Sequence, residues 1–441
     1  MSKQSGLILM LFIFTFTVQS QQSISITEAD ITSYKLYQQG NWKELIGYAE
    51  EVRSYGVDFF YLQARTGIAY YNLKKYRQAA EWFLRTWEND QPEWLQEYLY
   101  YSLLYSGRKL EAEKHAGDFS EQVKAKTGFG GRQLTRVAFE AGYSFDPDLP
   151  ELKTAPHGSQ AGVGDDYGEA FFLKNYHFES LDLSHRLSPG FNVAHNFSYI
   201  GMKKEELVDW GNRNLFPVAI NQFQYFLNPY FVVGKKLYLS PSANFIWGNY
   251  DMFLGYINRG ERDFYNTTVK YSDIVFSAAA WTHFGIMAPG FELNMADISD
   301  RRFVQTSVWL TVYPLSNLNF YFIPQAYFKN KAGSGTEYIA SGVTGGAQLG
   351  PVHFNGQYLS GEMENFIESG GYIVSNFPGT SKQKLSGSLF FPAGKKAQFV
   401  VRYIIHNVSD TYRVYTNLTE SNSVDYQYSK HTFTAGISWN L

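Results

Sequence analysis

The sequence predicts an α + membrane β protein, in which a helical repeat domain precedes an antiparallel up-and-down β-barrel. Three observations lead to this fold class. A short apolar run follows Lys3, residues 24–126 show no two-residue alternation, and apolar and polar residues alternate from about residue 133 to Leu441. Because successive side chains of a strand point to opposite faces, this alternation gives each strand one apolar and one polar face. A barrel whose outside faces lipid needs that pattern.

Residues 1–20 are predicted to form a signal peptide. Its apolar run extends from Leu7 to Val18, and Val18 and Ser20 fit the small-residue rule for cleavage after Ser20. The run is too short to span a bilayer, and no later apolar run reaches the roughly 18 residues that a membrane helix needs. The sequence contains no Cys, so we expect neither a lipid-anchored cysteine nor a disulfide.

The composition narrows the class of protein. Aromatic residues make up 18% of the chain, an excess that suits a lipid-facing surface with aromatic girdles and also a large soluble β-protein. The predicted signal peptide and the aromatic terminal strand favour the membrane protein. A formal net charge of −3 gives no basic surface for nucleic acid, so no nucleic-acid partner is expected.

Residues 24–126 carry a repeated helical pattern. Between Gly67 and Phe83, small and aromatic residues occupy the slots at which the two helices of a hairpin pack, with Tyr70, Tyr76 and Ala79 among them. Matching residues recur 34 positions upstream and 33 positions downstream. A fixed period in this range is the signature of stacked helical hairpins. The segment resembles the tetratricopeptide repeat, with an unrelated helical bundle as the alternative.

The resemblance to tetratricopeptide repeats implies a concave groove that binds a periplasmic protein or polymer. The first helix of each hairpin lines such a groove, so the candidate partner-binding residues are Tyr34, Gln63, Tyr70 and Glu97. Tyr70 also fits a packing slot of the repeat, and a place in the hydrophobic core is the alternative for it.

Residues 133–441 are predicted to form a 14-stranded outer-membrane barrel. Residues 431–441 alternate and end in Trp439 and Leu441, which is typical of a closing strand. Six short turns alternate with longer polar segments such as 204–217, 254–264 and 362–380, the pattern of short periplasmic turns and longer outer loops. Twelve or sixteen strands also fit, because 362–380 could contain a further pair. An even number places the helical domain in the periplasm.

Charged residues at inward positions of the alternation predict a polar lumen. Arg136, Glu140, Arg402 and His406 are the lumen-facing candidates, and residues of this kind set the polarity of a barrel interior. No segment is long enough for a dedicated plug domain, and inward side chains are expected to narrow the lumen.

The sequence contains no strong catalytic motif, and we predict no enzyme activity, no cofactor and no metal site. His195 is the residue to weigh against this, because it lies on the predicted lipid face close to Ser198. A histidine in the interfacial belt is the favoured interpretation, since no base partner can be argued for it.

The strand texture of Gly371–Asn376, Leu385–Pro392 and Phe399–Tyr403, with the repeats in front of it, resembles the YaiO-like outer-membrane β-barrel family. The resemblance implies a location in the outer membrane, with outer-membrane lipids and the barrel-insertion machinery as partners. It transfers no functional residue. Three functions follow as hypotheses: a component of transport or export across the outer membrane, a membrane-anchored docking scaffold, and a lipid-modifying enzyme near His195.

Overall fold

The structure is a computed structural model, which describes residues 24–130, 133–154, 167–210, 212–299, 301–331, 337–415 and 421–441. The predicted signal peptide, residues 1–20, lies outside the described residues. Within these ranges, helices occupy the chain up to Thr127 and strands occupy it from Leu134 onward, apart from one short helix.

The first part of the described chain contains seven helices; each of the first five packs against the next, and the seventh packs against the fifth. They are α1 (Ile26–Gln38), α2 (Trp42–Ser54), α3 (Phe60–Asn72), α4 (Tyr76–Trp87), α5 (Glu93–Tyr105), α6 (Lys109–Ala116) and α7 (Glu121–Thr127). Glycines with positive φ, among them Gly40, Gly56 and Gly107, allow the chain to reverse between helices. Among the helices in the described ranges, none has the length and apolar character needed to cross a membrane. The assignment to tetratricopeptide repeats remains a prediction.

The core of the helical domain lies between α3, α4 and α5. Phe83 of α4 is fully buried against Gly67 of α3, where an added Cβ atom would lie 2.6 Å from the phenyl ring. Glycine therefore lets the two helices approach this closely. Leu95, Leu99 and Leu103 of α5 complete the same buried cluster.

In the described residues, fourteen strands form a closed antiparallel barrel, which confirms the predicted strand number. The wall strands are β1 (Leu134–Phe145), β2 (Tyr167–Ser188), β3 (Phe191–Trp210), β4 (Asn212–Val233), β5 (Leu237–Asn258), β6 (Glu261–Trp281), β7 (Met287–Ile298), β8 (Arg301–Val312), β9 (Phe320–Lys331), β10 (Glu337–Leu349), β11 (Val352–Met363), β14 (Thr380–Ala393), β15 (Ala397–Tyr415) and β16 (Ser421–Asn440). β16 pairs with β1, with Trp439 opposite Val137, so the last strand closes the barrel. Two short strands, β12 (Phe366–Glu368) and β13 (Ile373–Ser375), form a separate hairpin, and a short helix, α8 (Leu149–Thr154), follows β1.

The two faces of the wall differ in polarity. Phe139, Phe197 and Phe433 are about half exposed on the outer face, whereas Asn196 and Thr432, which neighbour two of them in sequence, are buried inside. A closed barrel with an apolar outer belt satisfies its backbone internally and presents carbon to lipid. The chain therefore has the architecture of a lipid-facing barrel, and the predicted apolar-out, polar-in alternation is confirmed.

The predicted outer loops 204–217 and 254–264 are wrong. β3 and β4 continue to Trp210 and Asn212, and β5 and β6 continue to a tight turn at Asn258–Glu261. Above the membrane both faces of a hairpin meet water, so polar residues occur on both faces and the alternation fades. The backbone pairing does not depend on that alternation and continues.

A segment too short for a plug domain nevertheless enters the lumen, which the sequence pattern did not indicate. Residues 364–379, between β11 and β14, turn into the barrel and carry β12 and β13 there; we call them the inward hairpin. Met363 pairs with Ser381, so the wall passes directly from β11 to β14 and the hairpin adds no wall strand. A polar segment between two strands gives no local sign of whether it turns outward or inward.

Candidate functional site in the barrel lumen

The wall holds the inward hairpin chiefly through side chains that bind its backbone. The amide of Gln305 donates to the carbonyl of Ile367 (2.6 Å) and accepts from its N–H (3.2 Å), as a neighbouring strand would. Glu292 accepts from the N–H of Gly370 at 3.0 Å, and Asn244 donates to the carbonyl of Gly371 at 2.9 Å. These contacts satisfy backbone groups that a buried loop would otherwise leave without partners.

The tip of the hairpin reaches across the lumen. The hydroxyl of Tyr372 donates to Asp182 of β2 (3.2 Å) and accepts from Asn196 of β3 (3.3 Å), and its ring packs edge-on against Phe226. Gly371 has a φ of +81°, and a Cβ there would lie 2.7 Å from Ser277 Oγ. The tip therefore requires glycine at this position.

An ion pair and two small apolar clusters fix the first strand of the hairpin. Lys384 of β14 and Glu368 are 2.5 Å apart, and both side chains are buried. Ile367 packs with Val275, Ile298 and Phe303. Phe366 packs with four wall residues, Tyr327, Ala340, Leu359 and Met363. The hairpin is thus held in a defined position by its contacts with the barrel wall.

Three cavities follow one another past the hairpin. The outer vestibule, about 690 Å³, includes Asn376 and Phe377 in its wall. These two residues also line the passage, a cavity of about 190 Å³ between the hairpin and strands β14, β15, β16, β1, β2, β3 and β4. The passage shares Tyr372, Ile373 and Lys384, among others, with the inner cavity of about 630 Å³. Neighbouring cavities therefore meet at common side chains.

The four predicted lumen residues lie in these walls. Arg402 and Glu140 form an ion pair at 2.8 Å and line both the passage and the inner cavity, and Arg136 lines the inner cavity. His406 lines the passage, and its Nδ1 lies 3.0 Å from Ser381 Oγ. The structure thus brings together residues from β1 and β15 that the sequence placed only on the same face.

The alternation pointed to the lumen but missed several of its charged residues. Lys430 lies one residue before the predicted terminal strand and continues its inward positions. A longer alternation would have found it. The alternation did not indicate that Glu368 of the hairpin faces the lumen, because its inward position depends on the path of residues 364–379.

The helical domain contacts the short turns at one end of the barrel through buried basic side chains. Arg77 of α4 donates to the carbonyls of Gly285 (2.7 Å) and Ser106 (3.1 Å), and its guanidinium lies 4.2 Å from the ring centre of Tyr313. Its Nη2 is 3.1 Å from Nδ1 of His283. Burial, followed by the charge of Arg77, lowers the pKa of His283 to about 2, so the imidazole is neutral and accepts from Arg77.

A second network joins α6 to β5. Arg108 and Glu111 form a pair at 2.5 Å with both side chains 1% exposed, and Glu111 also accepts from the hydroxyl of Tyr238 at 2.6 Å. Burial alone would lower the pKa of Arg108, but the carboxylate of Glu111 outweighs it and the pKa is raised. Glu113 binds Arg186 and Asn192, both at 2.9 Å. Buried ion pairs and hydrogen bonds therefore hold the helical domain against the barrel.

The four candidate groove residues differ in exposure. Tyr34 is 47% exposed and lies under the guanidinium of Arg65, and Glu97 pairs with Lys126 at 3.3 Å. Gln63 and Tyr70 are each 9% exposed, and Tyr70 belongs to the core cluster of the domain. Gln63 and Tyr70 therefore offer little surface to a partner.

His195 and Ser198 lie on opposite faces of β3. His195 Nδ1 is 2.8 Å from the hydroxyl of Tyr225, in the outer aromatic belt, while Ser198 lines the passage. The predicted closeness of the two side chains is wrong, because residues three apart in a strand point in opposite directions. The described residues also contain no group of three or more His, Asp or Glu side chains that could hold a metal ion.

No family model matches the sequence, and no curated protein matches it. Among solved structures, the chain is similar to a FadL homologue of Pseudomonas aeruginosa, with 8% identity, coverage of 74% of this chain and 94% of that chain, and a TM-score of 0.46. It is also similar to the toluene transporter TodX of Pseudomonas putida (7% identity, coverage 72% and 92%, TM-score 0.45). A third similar structure is the toluene transporter TbuX of Ralstonia pickettii, with 9% identity, coverage of 71% of this chain and 91% of that chain, and a TM-score of 0.43. We take no functional residue from these similarities.

Proposed function

We propose that the protein carries small polar solutes across the outer membrane, through the lumen and along the passage beside the inward hairpin. The observation that carries this proposal is the series of outer vestibule, passage and inner cavity, which share lining residues. The helical domain, which we place in the periplasm, lies at the inner end of this path through its contacts with the barrel turns.

Polar and charged linings support transport over a barrel that is only an anchor. Desolvating charges is costly, so a barrel serving only to hold a domain in the membrane has no need of Arg136, Asp182 and Arg402 around a cavity. Polar walls and a narrow, displaceable constriction are what a selective path needs.

Planar-bilayer conductance of the full-length protein tests the proposal. We expect small currents that increase in Phe377→Ala, because Phe377 lines both the outer vestibule and the passage. The matched control is Phe366→Ala, which removes the same ring from the same hairpin but at the apolar cluster facing β9–β11. Equal currents from the two variants would mean that loosening the hairpin, and not widening the passage, admits ions. If neither the wild type nor either variant conducts ions, the proposed path is refuted.

A docking function is the second candidate, favoured by exposed aromatic residues on the helical domain. Tyr34 of α1, Tyr61 of α3 and Trp94 of α5 are 47%, 58% and 38% exposed. Arg65 lies over the rings of Tyr34 and Tyr61, and Phe60 contacts both Tyr61 and Trp94, so the patch is continuous. Large exposed aromatics supply apolar area and a polar tip, which suits recognition of a periplasmic protein.

Site-specific photocrosslinking in cells tests this docking surface. A crosslinking residue at Tyr61 is expected to capture a periplasmic protein, because it lies in the middle of the patch. The control position is Tyr55, which is 39% exposed but follows α2. The docking function fails if Tyr61 yields no product or yields the same product as Tyr55.

A further inference from the structure

Three basic side chains form a row across neighbouring strands at the passage. Lys384 of β14 pairs in register with His406 of β15, which pairs with Lys430 of β16. All three side chains point inward, line the passage and are buried. In this basic row the ammonium groups of Lys384 and Lys430 lie on the strands either side of His406, and their mutual repulsion costs stability unless an anion offsets it.

One member of the basic row already binds a carboxylate. Lys384 holds Glu368 of the inward hairpin at 2.5 Å. Lys430 lies at the other end of the row, and its ammonium sits 3.2 Å from the ring centre of Phe377. Among the described residues, no carboxylate or other acceptor lies within hydrogen-bond or ion-pair distance of Lys430, although the residue is only 3% exposed. Lys430 lines the passage, so its ammonium is available there to an anion from the solution.

Positive charge is concentrated at this constriction. Among the described residues, the passage is lined by Lys384, Arg402 and Lys430 and by the carboxylate of Glu140; with Glu368, which pairs with Lys384, three basic groups meet two acidic ones. The described lining of the outer vestibule contains four basic and four acidic side chains, and that of the inner cavity three basic and four acidic ones. A solute therefore meets an excess of positive charge only in the smallest of the three cavities.

We propose that the basic row is an anion-binding site that makes the passage selective for small anions, with Lys430 as the residue that contacts them. The selectivity of the passage rests on the proposed function, whereas the anion-binding site is inferred from the basic row alone. A volume of about 190 Å³ has room for roughly six water molecules, so it suits chloride, bromide or a small carboxylate and excludes polymers. Rings of Lys or Arg select anions in pores by the same electrostatics.

Selectivity is measured as the reversal potential under a potassium chloride gradient, in the wild type and in Phe377→Ala. We expect chloride to permeate better than potassium, and Lys430→Met to reduce the permeability ratio severalfold in both backgrounds. The matched control is Lys382→Met, because Lys382 lines the outer vestibule and pairs with Glu362 at 2.6 Å. Cation selectivity of the wild type, or equal ratios in Lys430→Met and Lys382→Met, would overturn the proposal.

Bromide-soaked crystals test the site without requiring conduction. Anomalous scattering is expected to place bromide beside the ammonium of Lys430 in the wild type and to show none there in Lys430→Met. Bromide at Lys430 in a protein that conducts no ions would refute the transport path and leave the anion site standing. Conduction without bromide at Lys430 and without anion preference would refute the site and leave the path standing.

Discussion

Replacing residues 365–378 with a short Gly-Ser linker is expected to raise the conductance of the barrel roughly tenfold, since a 14-stranded barrel without a plug encloses an open lumen. Met363 and Ser381 are paired in the wall, so the linker spans neighbouring strands without strain. This replacement removes Glu368, Tyr372 and Phe377 together. With them it removes the contacts that close the middle of the lumen. Single-channel recordings of the purified variant measure the effect.

The control for hairpin removal shortens the tip of the β5–β6 hairpin, residues 256–263, by a comparable linker. That tip lies at the outer end of two long strands, so its loss should leave the conductance unchanged. Heat-modifiable migration on a gel shows whether each variant still forms a barrel. A folded variant that lacks residues 365–378 and conducts no better than the wild type would mean that the inward hairpin is not what closes the lumen.

Glu111→Gln is expected to weaken the seating of the helical domain on the barrel by about 3–5 kcal/mol, the cost of removing one partner of a buried ion pair. Arg108 is 1% exposed and would keep only Glu81, at 2.8 Å, as a charged partner. Glutamine still fills the space of Glu111, so the effect reports on charge and not on a cavity. Tyr238 would lose a charged acceptor at the same time.

Limited proteolysis in detergent measures this loss of seating. Glu111→Gln should be cleaved faster between the helical domain and β1, while the barrel keeps its heat-modifiable migration. Glu88→Ala is the matched control, because the ion pair between Glu88 and Lys235 also joins the two parts but is exposed on both sides. Cleavage of Glu111→Gln at the rate of Glu88→Ala would show that the buried network does not hold the domain.

Local patterns were enough to predict the wall of the barrel. The period-two alternation sets which side chain faces lipid, and short turns separate the hairpins, so strand number and closure at Trp439 followed from the sequence. The same rule placed Arg136, Glu140, Arg402 and His406 inside. Each of these inferences depends only on neighbours within one strand or one turn.

The helical part was predicted less completely. The repeat period indicated helices, and seven occur between residues 24 and 130, but the spacing did not show which faces remain exposed. Gln63 and Tyr70 are buried because neighbouring helices cover them, while Tyr61 and Trp94, which the pattern did not single out, remain on the surface. The exposure of a helical residue depends on which neighbouring helix packs against it, and the sequence of one helix does not show which helix that is.

The sequence by itself determined that this chain forms a closed, lipid-facing barrel behind a helical domain, because those features come from short-range periodicity. Only the tertiary structure decided what the lumen holds. The inward course of residues 364–379 depends on partners such as Gln305 and Asn244, which are far away in the chain. The basic row depends on the register of three strands, which places Lys384 and Lys430 on either side of His406. Contacts between distant segments are fixed by packing and register, and neither is written in the local pattern.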